Sequence, residues 1–176
     1  MRHPLLQPLL IFLACSTSAC ASRSGSDNLS YPAAYRAALI ETQQSAPVRE
    51  EDLELFIKFL ESIGTPGSAR AAAELYAENI HFSDALILTT DKQVIVKHFS
   101  DLEAAGNKVK VTMHQRILSG NDILLVWSME ARFTPIRRER VSDSLGVTHL
   151  RFDENGKVVL HQDFWDSTEG FFRHLP

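Results

Sequence analysis

The pattern of apolar and polar positions divides the chain into a helical half and a strand-rich half. Leu53, Phe56, Ile57, Leu60 and Ile63 recur at helical spacing, which predicts an amphipathic helix with Ser45 as candidate cap, Pro47 near the first turn and Glu50, Glu51 and Asp52 at the positive end of the dipole. Gly64-Thr65-Pro66-Gly67 stops it, and a second helix is expected from Ser68 to about Asn79. Alternation over Ile80 to Asp84 then predicts a strand with Phe82 and Asp84 on one face and His81 on the other. Asp91 caps a third helix whose inward stripe is Val94, Ile95, His98, Phe99 and Leu102. From Lys108 onward the period becomes that of strands. Val109, Val111 and Met113 alternate with Lys110, Thr112 and His114, and beyond the turn at Ser119 to Asp122 a long strand sets Leu125, Trp127, Met129, Ala131 and Phe133 on one face.

A polar connection from Pro135 to Ser144, carrying Arg137, Arg138 and Arg140, leads to a hairpin around Asn155-Gly156. That dipeptide favours a type I′ turn, because Gly adopts positive φ freely and Asn tolerates it. The register it implies places Phe152 opposite Val159, Leu150 opposite His161 and Thr148 opposite Asp163. Thr148, Leu150, Phe152, Val159, His161, Asp163 and Trp165 then share a face. A carboxylate on so apolar a face needs a partner or a use, since burying a lone charge is costly.

The whole pattern is α+β: about three helices, then long antiparallel strands, with the helices packed on the concave side of a curved, cone-shaped sheet. Such a shape leaves a pocket. With 176 residues, 44% of them hydrophobic, the chain has room for one ordinary domain. A net charge of −4 and a pI near 6.0 argue against a nucleic-acid partner.

The first residues are of another kind. Arg2 and His3 precede an apolar run from Leu5 to Ala14 and then small residues through Ala21, the anatomy of an export signal over residues 1–20. Ala19-Cys20-Ala21 suits ordinary cleavage, whereas Ser18-Ala19-Cys20 resembles a bacterial lipobox in which Cys20 becomes the acylated first residue. Either way the protein is expected to be exported, to the periplasm or as an outer-membrane-anchored lipoprotein, touching membrane only through the lipid. Both cysteines lie in this leader, so no disulfide is expected in the mature domain. Residues 21–46 keep no persistent period and read as a flexible linker, although Tyr31 to Ile40 would make a short helix. The folded domain is assigned to residues 47–176.

Three strings carry a resemblance: Leu75-Tyr76-Ala77-Glu78-Asn79-Ile80-His81-Phe82-Ser83-Asp84, Thr148-His149-Leu150-Arg151-Phe152 and His161-Gln162-Asp163-Phe164-Trp165-Asp166. With the order of elements, they make residues 50–176 resemble the nuclear transport factor 2-like superfamily. Its members include ketosteroid isomerases, SnoaL-like polyketide cyclases and limonene epoxide hydrolases. The resemblance implies that Asp84 falls where the isomerases keep their proton-moving aspartate and Asp163 where the epoxide hydrolases keep the aspartate that activates water. The cyclases are similar in placing an acid/base aspartate in this strand. Departures are equally specific. Thr148 replaces the oxyanion-side aspartate of the isomerases, Phe56 or Phe59 stands where they need a tyrosine, and apolar residues around Trp127 and Met129 replace the Arg-x-Asp of the hydrolases.

The expected site therefore has Asp163 as principal base, His161 as its proton-sharing neighbour and Asp84 as a second polar group across a pocket walled by Phe82, Trp127, Met129, Thr148, Leu150 and Trp165. Plainer roles compete: Asp163 as acceptor of a Thr148 hydrogen bond, Asp84 as a turn residue capping the loop to Leu86, and His161 as a satisfied core histidine. The remaining histidines do not fall at ligand spacing, so neither a metal nor another cofactor is expected. No glycine-rich phosphate loop, G-x-S-x-G or mature cysteine offers a nucleophile. The ligand expected is a small hydrophobic molecule, handled by isomerase, cyclase or hydrolase chemistry or simply carried. A homodimer is expected through the outer sheet face at Val126, Ser128, Glu130 and Arg132.

Overall fold

A computed structural model describes residues 30–106, 108–133 and 139–174. The leader, Cys20, residues 134–138 with Arg137 and Arg138, and the side chains of Phe133 and His174 lie outside the described residues. Helices α1 (Tyr31–Glu41), α2 (Glu50–Glu61) and α3 (Ser68–Leu75) precede β1 (Tyr76–Ser83) and β2 (Leu88–Asp91); α4 (Lys92–Ala104) follows, then β3 (Lys108–Ser119), β4 (Asp122–Phe133), β5 (Arg140–Phe152), β6 (Val158–Trp165) and a short α5 (Ser167–Gly170). The six strands form one curved sheet in the order β2-β1-β6-β5-β4-β3. All neighbours are antiparallel except β1 and β6, which run parallel.

The inward stripe of α2 packs on this sheet as predicted. Phe56, Phe59, Tyr76, Phe82, Phe99 and Phe152 form one buried cluster whose rings meet mostly edge to face, Phe59 and Phe99 at 4.9 Å and 79°. Each such side chain contributes roughly 1.5–3 kcal/mol by leaving water. The capping assignment of Asp91 is also met, its Oδ1 accepting from Gln93 N, and Asp166 Oδ1 caps α5 by accepting from Thr168 N and Glu169 N. Ser45 and Pro47 do not start α2, which begins at Glu50 with Arg49 as its capping residue.

The hairpin register holds where it matters. Thr148 pairs with Asp163, Leu150 with His161 and Arg151 with Leu160, but Phe152 pairs with Val158, leaving Val159 as a bulge. The turn explains the bulge. It closes with Gly156 N on Asp153 O, and Gly156 alone there takes positive φ, 74°. This is a type I turn with a glycine bulge, in which Asp153 Oδ1 also accepts from Asn155 N and Lys157 N.

Three local expectations are corrected. The second helix ends at Leu75, so Tyr76 opens β1 and not a last helical turn. Strand β5 begins at Arg140, inside the stretch read as a polar connection. Most consequentially, Tyr31–Glu41 is a docked helix and not part of a linker. Its anchors are polar, which is why no apolar period announced it. Arg151 Nη1 donates to Leu39 O (2.8 Å) at the negative end of α1, and Tyr35 Oη bonds His149 Nδ1 at 2.8 Å. Asp122 Oδ1 ties this together, accepting from Arg151 Nε at 2.6 Å and meeting His149 Nε2 at 2.8 Å. These partners alternate with the cavity-facing residues of β5, so α1 lies on the outer face of the sheet.

Candidate active site

Between the helices and the inner sheet face lies a cavity of about 170 Å³. An apolar cavity of about 150 Å³ holds benzene, so this volume is of the same order. Phe82, Phe99, Val111, Trp127, Met129 and Trp165 supply much of its wall; its polar groups are Asp84, His98, Thr148, His161 and Asp163. Leu86, 39% exposed, stands where the wall meets solvent.

Along one wall runs a hydrogen-bonded chain whose directions follow from donor chemistry. Trp127 Nε1–H can only donate, and it meets Thr148 Oγ1 at 2.8 Å. Thr148 therefore sends its own proton to Asp163 Oδ1, at 2.5 Å. From the other end, Tyr76 Oη lies 2.7 Å from His161 Nδ1, and His161 Nε2 lies 3.0 Å from the same Asp163 Oδ1. Burial pushes the Tyr76 phenol well above its ordinary value, helped by the carboxylates of Asp163 and Asp84, so it remains a neutral donor. His161 then carries its proton on Nε2 and gives it to Asp163. The result is a carboxylate with one oxygen held by two donors, while among the described residues no protein group bonds the other, Oδ2.

Trp127 can lie in this position because its cross-strand neighbour is Gly146. A Cβ at Gly146 would fall inside the indole.

Asp84 both braces the loop to Leu86 and borders the cavity. Oδ1 accepts from Leu86 N (2.9 Å) and Ile87 N (2.8 Å), bracing Ala85 at a φ of 68°, a left-handed conformation that costs a residue with a Cβ about 1–2 kcal/mol. Oδ2 faces the cavity and meets His98 Nε2 at 2.8 Å. Burial works against the carboxylate, but the bond and charge of His98 and the two backbone N–H groups outweigh it and hold Asp84 below its usual range.

The structure brings Asp163, His161, Asp84, Phe82, Trp127, Met129, Thr148 and Trp165 to one cavity. Leu150 does not belong there. It is fully buried in the cluster with Phe56 and Phe152, and so serves the core and not the wall. Two residues escaped the sequence reading: Tyr76, hidden in a stretch assigned to a helix, and His98, whose imidazole stands in an apolar helical stripe but whose partner is remote in sequence.

On the outer face, α1 covers parts of β1, β5 and β6 through Tyr35, which packs on His81, His149 and Phe164. Beyond it Leu145 is 71% exposed, with Val141, Phe164 and Ile117 also exposed. Among the described residues no helix is long and apolar enough to cross a membrane.

A curved sheet closed by helices over an apolar cavity with inward carboxylates defines a nuclear transport factor 2-like domain. The chain belongs to the SnoaL-like domain family, whose model matches residues 57–161. A search of the curated proteins finds no match. Among solved structures it is similar to an LEH-like epoxide hydrolase of M. tuberculosis, at 12% identity over 73% of this chain and 87% of that one, with a TM-score of 0.58. A protein of Shewanella denitrificans described as a SnoaL-like polyketide cyclase aligns at 15% identity over 69% and 94% of the chains, TM-score 0.58. TsrD from Streptomyces laurentii aligns at 12% over 72% and 96%, also at 0.58. At these identities the likeness establishes the fold.

Proposed function

We propose that this domain binds a small hydrophobic molecule in its cavity and moves protons on it, with Asp163 as the base and His161 as its proton-sharing neighbour. The observation that supports this is the Asp163 carboxylate itself, only 14% exposed, with one oxygen held by two donors and the other unengaged by protein on a largely apolar wall. A carboxylate held this way is oriented before any ligand arrives, which is what general-base chemistry requires. Isomerisation, cyclisation and hydrolytic addition of water all begin with such a proton transfer. Asp163→Asn keeps the shape and an acceptor for Thr148 but removes the base. It is expected to lower turnover of single-ring ketones and epoxides by about 10²-fold or more while leaving their binding within a few-fold. Unchanged turnover in that variant would sink the reading.

A second reading, a ligand-binding accessory protein that works as a homodimer, draws support from the exposed apolar residues of the outer face, Leu145 above all. Both readings carry the export signal over residues 1–20. If Cys20 is the lipidated residue of a periplasm-facing lipoprotein, acyl labelling of the full chain will vanish in Cys20→Ser; labelling that persists assigns the anchor elsewhere.

A further inference from the structure

The cavity wall holds two carboxylates, Asp84 and Asp163, and two imidazoles, His98 and His161, and among the described residues no lysine or arginine lines it. It is therefore neutral or negative, whatever protons the imidazoles carry. An anionic ligand would find no fixed countercharge there, and a charge buried without one is costly. The two carboxylates differ in what they have left to offer. Asp84 spends Oδ1 on Leu86 N and Ile87 N, and Oδ2 on His98 Nε2. Asp163 takes both of its donors, Thr148 Oγ1 and His161 Nε2, on Oδ1 alone. Its Oδ2 meets no protein donor among the described residues, and a carboxylate oxygen can only accept. The surroundings of that oxygen are aromatic. Trp165 follows two residues on along β6 and so stands on the same face of the sheet as Asp163. Trp127 sends its Nε1–H to the same Thr148 hydroxyl that serves Asp163. Both indoles border the cavity, as does Phe82, whose ring centre lies 4.7 Å from that of His161. A cation beside an aromatic face is attracted to it, to tryptophan most of all, and more strongly where water is excluded.

We propose that the cavity selects a small apolar amine in its protonated form, with the ammonium group donating to Asp163 Oδ2 and lying against Trp165 while the hydrocarbon body fills the apolar wall. The proposal rests on the reading of Asp163 as the group that meets the ligand, and it requires no proton transfer. An alkyl ammonium keeps its proton at neutral pH, as a lysine side chain does. It brings the two things this wall lacks, an N–H donor for the open oxygen and a positive charge. A hydrogen bond between charged partners is roughly twice as strong as one between neutral groups, so an amine gains more here than an alcohol of the same shape. The carboxylate is already oriented by Thr148 and His161, so it needs no rearrangement to receive the ammonium. Asp84 gives up no bond to the ligand, because its oxygens are taken, but its charge adds to the same attraction across the cavity.

The test compares three probes that share a phenyl body: phenethylammonium, phenethyl alcohol and phenylacetate. Each is titrated by calorimetry into the full-length protein at neutral pH. The amine is expected to bind about tenfold or more tighter than the alcohol, with phenylacetate the weakest of the three. That preference should survive about 0.5 M sodium chloride, because a pair shielded from solvent is screened little. A preference that salt abolishes would put the amine on the acidic outer surface and overturn the proposal. Asp163→Asn, with folding checked by its urea midpoint, is expected to bring the amine down to the affinity of the alcohol while the alcohol itself shifts only a few-fold. Equal binding of amine and alcohol by wild type, binding of neither, or an amine preference that outlives Asp163→Asn each overturns the proposal, and the first two need no variant. The two readings of Asp163 fail separately. Unchanged turnover in Asp163→Asn removes the base and leaves the amine preference standing, whereas a wild type that favours the alcohol removes the amine and leaves the base.

Discussion

Tyr76→Phe removes one hydroxyl from the centre of the domain and little else. The ring is fully buried and packs edge to face on Phe56, Phe59 and Phe82 at 6.5, 5.9 and 5.6 Å, contacts that phenylalanine reproduces. What disappears is the 2.7 Å bond to His161 Nδ1, and the imidazole it leaves is itself only 2% exposed. A hydrogen bond exchanged for water would cost about 1 kcal/mol, but a buried nitrogen left without a partner costs about 1–3 kcal/mol, so the upper part of that range is expected. With a urea slope near 2 kcal/mol per molar, the midpoint should drop by about 1 M at unchanged slope. A second readout is chemical. In the native chain Tyr76 donates and His161 keeps its proton on Nε2, whereas the variant allows both tautomers, which nitrogen-15 NMR of the ring distinguishes. A midpoint within about 0.2 M of wild type, with the tautomer unchanged, would refute the claim that Tyr76 sets the proton order of the chain leading to Asp163.

Two further outcomes concern the outer face. Burial lowers His149 and His81 from an ordinary value of 6.5, so the unfolded chain binds protons that the folded one does not. Their contribution is intact above that pH and is lost as pH falls through it toward the folded values; urea midpoints should decline from neutrality toward pH about 5, less steeply in His149→Gln, and a flat profile would contradict this. For Asp122, the Arg151 hydrogen bond is the leading cause of a value below 3.8, and its contribution disappears only in stronger acid. Leu145→Glu should shift a homodimer toward monomer in sedimentation velocity with the cavity intact, and an unchanged sedimentation coefficient for a dimeric wild type would remove Leu145 from the interface.

The sequence was most legible where one period ran without interruption. The inward stripe of α2, the shared face of β4 and the pairing of Thr148 with Asp163 all follow from counting residues, because a strand alternates strictly and a buried face penalises any slip. Legibility failed where backbone irregularity or distance in sequence intervened. The registers of β1 shift between Asn79 and Phe82 and between Tyr76 and His81, so alternation counted back from Phe82 could not place Tyr76. The inward position of His98 was plain, but its meaning depends on Asp84, brought to it by tertiary packing. The docking of helix α1 was missed for a third reason. Its attachment rests on an arginine, a histidine and two tyrosines, and hydrophobic periodicity does not register such anchors.

Because α1 docks behind the sheet, the polypeptide enters the domain on the side opposite the cavity. The N-terminal helix and the cavity thus occupy different sides of one sheet, and the helix reaches the strand of Asp163 directly: the carbonyl of Asp163 accepts from the Tyr31 hydroxyl at 3.4 Å and from the Gln162 amide at 3.0 Å. A pull on the N-terminal helix would load β6, the strand that carries Asp163, through Tyr31.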